Sequence, residues 1–139
     1  MLNLYVMRHS KSSWNDANIN DFERPLSPKG RKDIKFIIKF LKRKKIKFDF
    51  AYVSSSKRTK QTFKLLKKKI KIKKEIISKN LYLTDENKIF NIKKNYFLFK
   101  EKKFSTSAIT KITFSIKKWK KLNESSGKLV FFKRPIDLI

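Results

Sequence analysis

Leu2-Asn3-Leu4-Tyr5-Val6-Met7-Arg8-His9-Ser10-Lys11-Ser12-Ser13-Trp14 opens the chain with a short apolar alternation that breaks off at an arginine and the only histidine present. Leu2, Leu4 and Val6 alternate as the buried face of a strand would, and the polar run beyond them must be a loop. In an open α/β sheet, residues at the carboxyl end of a strand stand where ligands bind. A neutral imidazole there can attack phosphorus, and a guanidinium can grip phosphoryl oxygens in bidentate fashion. The Arg8-His9 pair alone is also compatible with a surface histidine of no consequence, because a two-residue match is cheap.

Downstream, Ser27 suits an N-cap and Pro28 the first position of a helix. Ile34, Ile37, Ile38 and Leu41 follow at helical spacing with lysines on the other face, which predicts a helix packed on a sheet rather than on a membrane surface. Phe48 to Val53 reads as a second strand running into Ser54-Ser55-Ser56. A helix from about Lys57 to Lys69 would bury Phe63, Leu66 and Ile70 and carry Arg58 in its first turn. Backbone donors at that helix start add to an anion site. Two strand ends thus each deliver an arginine to one edge of the sheet, a convergence that favours an oxyanion pocket. Further on, the pattern predicts a short edge strand at Glu75–Ser78, a loop or cap at Thr84-Asp85-Glu86-Asn87, and a short helix at Lys88–Lys94. Strands are expected at Asn95–Phe99, Ile109–Ile116 and Leu129–Phe132, the last after a Ser125-Ser126-Gly127-Lys128 turn.

Composition narrows the function classes. A chain of 139 residues with 40% hydrophobic content and 13 Phe suits a folded domain with a real core. The absence of cysteine excludes disulfides, thiolate metal sites and cysteine nucleophiles, and one histidine excludes a multi-histidine zinc site. The start of the chain lacks the pattern of a signal peptide and no stretch approaches the length of a membrane span, so a cytoplasmic address without membrane association is expected. The net charge of +27 would promote non-specific polyanion binding. Only six of the 38 basic residues are Arg, whereas nucleic-acid readers lean on Arg. Lys, Ile, Asn and Phe share A/T-rich codons, so a biased genome would produce such a surface without any selected partner. Against that drift a retained Arg suggests a need for fixed planar geometry, which singles out Arg8, Arg24 and Arg58.

Together with Arg24-Pro25-Leu26-Ser27-Pro28-Lys29-Gly30 and Ser54-Ser55-Ser56-Lys57-Arg58-Thr59-Lys60-Gln61-Thr62, the opening stretch resembles the histidine phosphatase superfamily. Within it, the small phosphohistidine phosphatases that begin Leu-Tyr-x-Met-Arg-His-x-Lys-Ser-Ser-Trp are the nearest match. Phe104-Ser105-Thr106-Ser107-Ala108-Ile109 is similar to that family's late strand, and Trp119 and Arg134-Pro135 to its closing hairpin. The resemblance implies a single α/β domain over residues 1–139, three-layered α/β/α with a mostly parallel mixed sheet. It also implies that a loop and a helix have been lost near residues 95–104.

By the same resemblance, His9 is the nucleophile of a phosphohistidine phosphatase-like hydrolase and carries the phosphoryl group transiently on nitrogen. Arg8 and Arg58 bind the phosphoryl oxygens, Mg²⁺ is not required, and no cofactor is implied. Arg24 is expected to hold the loop ahead of Ser27. Lys11 stands close enough in sequence to meet an anionic substrate. Asp85 and Glu86 fall in the interval where many members keep a proton donor for the leaving group. The family's second histidine, in a Gly-His-Asn-Pro-like turn between Leu81-Tyr82-Leu83 and Phe104, has no counterpart, since no histidine follows His9. Lys100, Lys102 or Lys103 is a candidate replacement as a point charge. The expected partner is a phosphorylated protein or a small phosphorylated molecule. The alternatives are a catalytically inactive relative that keeps an anion pocket, or a polyanion-binding module.

Overall fold

The structure, a computed structural model, describes residues 1–83, 104–123 and 126–139. In chain order it contains β1 (Leu2–Met7), α1 (Pro28–Arg43), β2 (Phe48–Ser54), α2 (Lys57–Lys67), β3 (Ile72–Ser78), β4 (Ile109–Phe114) and β5 (Gly127–Lys133). Short 3-10 turns punctuate these elements, among them Asp21–Glu23 and Pro135–Leu138. The expected loop at 84–87, helix at 88–94, strand at 95–99 and shortening near 95–104 lie outside the described residues, as do Asp85, Glu86, Lys100, Lys102, Lys103 and Ser125.

Local chemistry explains the helices. Ser27 Oγ accepts from the Gly30 amide at 3.0 Å and Pro28 occupies the first position of α1, while Lys42 and Arg43 lie in its last turn, facing the negative end of the helix dipole. Ile34, Ile37, Phe40 and Leu41 bury the apolar stripe of α1. In α2, Phe63 and Leu66 turn inward, and Ile70 joins them from the turn just beyond. These side chains form one cluster with Val53 and Ile109, against which Tyr5, Met7, Phe48, Ala51 and Phe131 also pack.

The fold is mixed α/β, but the sheet is not mostly parallel as expected. β1, β4 and β5 form an antiparallel three-stranded sheet in the order β1-β4-β5, and β2 and β3 form a separate parallel pair. The physical reason lies in the connections. A parallel pair needs a crossover, which α2 supplies between β2 and β3, whereas β4 and β5 are joined closely enough to fold back antiparallel. Nor do Leu2, Leu4 and Val6 face the main core. Tyr5 and Met7 do, while Leu2, Leu4 and Val6 lie in register with Phe114, Ile112 and Thr110 on the opposite face. β4 is therefore covered on both sides, as its two apolar faces require.

Among the described residues no helix is long and apolar enough to cross a membrane.

Candidate active site

Hydrogen bonds lock the quoted segments to one another at the carboxyl end of β1. The Ser10 amide donates to Thr62 Oγ1 at 3.0 Å, and Thr62 Oγ1 in turn donates to the Arg58 carbonyl at 2.8 Å. Arg24-Pro25-Leu26-Ser27 runs back alongside the loop after His9: Ser13 N donates to Pro25 O at 2.8 Å and Ser27 N to Lys11 O at 2.9 Å. Leu26 N then reaches Gln61 Oε1 on α2 at 2.8 Å. From the far side the Ser107 amide donates to the His9 carbonyl at 3.1 Å, and the hydroxyls of Ser10 and Ser107, both fully buried, lie 2.6 Å apart. Ser107 has φ +63°, a left-handed conformation that is uncommon for a residue with a Cβ. Strain of this kind persists where surrounding contacts over-determine the backbone, and it clusters at functional sites.

His9 is half-buried, with its two ring nitrogens in different roles. Nδ1 lies 2.8 Å from the Ser10 carbonyl, which can only accept, so Nδ1 carries the proton. Nε2 lies 3.1 Å from Arg58 Nε, which can only donate, so Nε2 presents a lone pair. Burial is the main cause holding the imidazole pKa below its ordinary value; the Ser10 carbonyl opposes it, and the charges of Arg58 and Arg8 reinforce it. The result is a neutral ring whose Nε2 electron pair accepts the Arg58 hydrogen bond. Arg8 itself is exposed and donates through Nη1 to the Phe104 carbonyl at 2.9 Å.

The residue that sequence reasoning missed is Asp21. Arg58, itself buried, donates through Nη1 to the Asp21 carbonyl and through Nη2 to Asp21 Oδ2 at 2.9 Å. The same carboxylate accepts from Tyr82 Oη at 2.7 Å and from Arg24 Nη1 at 3.1 Å. The Tyr82 hydroxyl is the main cause holding its pKa below the usual carboxylate value; slight burial opposes this, and Arg58 and Arg24 add to it. A signal was present in the sequence: in a chain with 11 acidic residues against 38 basic ones, an acid three positions before a motif arginine is conspicuous.

Arg24 behaves as expected. Its guanidinium is buried, reaches Ser13 O at 3.0 Å and Ser12 Oγ at 2.7 Å, and stacks 3.1 Å above the Trp14 ring centre. It fastens the loop, and none of these bonds reaches His9. Lys11 contributes through its carbonyl, while its exposed side chain joins none of these bonds. Among the described residues no three of His, Cys, Asp or Glu come together in a metal-holding group.

Comparison with known proteins matches residues 4–81 to the family described as histidine phosphatase superfamily, branch 1. No curated protein sequence matches. Among solved structures, SixA of Agrobacterium tumefaciens superposes with a TM-score of 0.72 at 17% identity, covering 96% of this chain and 97% of its own. SixA of Nakamurella multipartitia gives 0.75 at 15% identity, with 96% of each chain covered. The protein histidine phosphatase SixA complexed with tungstate gives 0.66 at 18%, covering 99% of this chain and 100% of its own. At these identities the likeness is one of fold.

Proposed function

This chain belongs to the histidine phosphatase superfamily, and from that premise we propose that it is a phosphatase that removes a phosphoryl group by way of a phosphohistidine on His9. The observation that carries the reading is the divided imidazole: Nδ1 donates to Ser10 O, and Nε2 keeps its electron pair, which accepts from the Arg58 guanidinium at 3.1 Å. In this scheme Nε2 attacks phosphorus, the bond to the leaving group breaks, and the leaving group takes up a proton from solvent. Water then attacks the phosphoryl group on His9, the P–Nε2 bond breaks, and the water's proton goes to solvent as phosphate leaves and the neutral ring is restored. Arg8 and Arg58 offset the charge of the in-line transfer.

A phosphohistidine-bearing protein is the substrate class we favour. Imidazole leaves readily from a P–N bond, so this substrate asks least of a positioned proton donor. A SixA solved with tungstate, a tetrahedral oxyanion, is in keeping with such a pocket. The three-layer arrangement, a single domain over 1–139 and a cytoplasmic setting belong to the same proposal.

The test is hydrolysis of a phosphohistidine-bearing protein by wild type and His9→Ala. Turnover in the wild type and background rates in the variant are expected. Equal background loss from both would leave a scaffold that binds anions without turning them over.

A further inference from the structure

We propose that Asp21 is a built-in anion that competes with the phosphoryl group for Arg58 and so speeds the departure of product phosphate. The inference rests on the reading of His9 and Arg58 as phosphoryl-handling residues. Arg58 is committed on every nitrogen: Nε to His9 Nε2, Nη1 to the Asp21 carbonyl and Nη2 to the Asp21 carboxylate. A phosphoryl group that seeks those donors meets a carboxylate already bound to them, and like charges brought together oppose binding. Asp21 is free to yield. Its side chain is 47% exposed against 9% for Arg58, and it sits in the three-residue turn Asp21–Glu23. When it yields, its carboxylate still has Arg24 and Tyr82 as partners.

Displacement has a consequence for His9. As the guanidinium follows the phosphoryl oxygens, its Nε leaves the Nε2 lone pair, so the electron pair that must attack becomes available when the group to be attacked arrives. After hydrolysis, Asp21 returns to Arg58 and phosphate is expelled. A pocket with two arginines in a chain of net charge +27 otherwise holds phosphate tightly, so an internal competitor favours turnover. The opposite role, in which Asp21 merely orients Arg58, predicts weaker anion binding once the carboxylate is removed. The sign of the effect separates the two.

The experiment is calorimetric titration of inorganic phosphate into the full chain, wild type and Asp21→Asn. Phosphate binding is expected to tighten about tenfold in the variant. Equal or weaker binding than wild type overturns the inference and leaves the phosphatase reading standing, whereas no binding to either protein overturns both. A second measurement needs only the wild type. The NMR coupling between Arg58 Nε and His9 Nε2 across their hydrogen bond should vanish at phosphate saturation, and its persistence there overturns the displacement.

Discussion

His9 works through what its two neighbours permit. A carbonyl at Nδ1 fixes the tautomer, and a guanidinium at Nε2 disfavours protonation while pointing to where an oxyanion would lie. The depressed pKa makes a signed prediction about stability. Above about 6.5, its ordinary value, His9 is neutral in both folded and unfolded chains and adds no slope. As pH falls through that value the unfolded chain takes up the proton first, so stability declines toward acid. His9→Asn should flatten this part of the profile, read as the difference in urea midpoint between the two proteins from pH 7.5 to 5.5. Profiles that stay parallel would mean that His9 titrates alike in both states. The imidazole, its arginine and the loop arginine were all legible beforehand, because each residue type is scarce here and chemically specific. Asp21 and Ser107 were not, since a carboxylate and a hydroxyl have many ordinary surface roles. Only folding brings Asp21 to a guanidinium 37 positions away, and Ser107 to a hydroxyl 97 positions away.

α1 meets the loop after β1 at Gly30, and that contact decides a conflict between helix propensity and packing. Alanine is favoured over glycine in a helix by about 1 kcal/mol. A Cβ at Gly30, however, would lie 2.2 Å from the Lys11 carbonyl oxygen and 2.9 Å from the Lys11 nitrogen, both of them backbone atoms. Overpacking of this kind costs roughly 1–3 kcal/mol, so packing wins. Gly30→Ala should destabilise the protein, seen as a lower denaturant midpoint, and should reduce turnover by pushing the His9 loop outward. A stabilised variant would show that Lys11 has room to retreat. Propensity and periodicity were good guides to α1 and α2, whose caps and stripes are local. They also placed β2 to β5 to within a few residues. They misjudged pairing, because whether two strands run parallel depends on connections and partners that no window of sequence contains.

Charge is the property that acts over the whole protein. With 38 basic residues against 11 acidic ones, self-repulsion outweighs the few ion pairs available. Raising NaCl from about 0.02 to 0.15 M shortens the screening length to about 8 Å and should raise Tm. A falling Tm would instead show that local pairs such as Arg58–Asp21 dominate. The same surface reaches the groove between α1 and α2, where Lys35, Lys39, Lys42, Lys68 and Lys69 surround Ile34 and Leu65. Residue order alone was enough to name an α/β chain with a histidine and two arginines at strand and helix ends, because apolar spacing and capping are local and those residue types carry their chemistry with them. The folded chain was needed for the rest: the antiparallel pairing of β1 with β4, the exposure of Phe50 and Tyr52 on β2, and the closure of Asp21 onto Arg58. The pairing and the closure join residues far apart in sequence, and the exposure depends on which neighbours cover a strand; such features are selected by packing and by electrostatic compensation rather than by any local pattern.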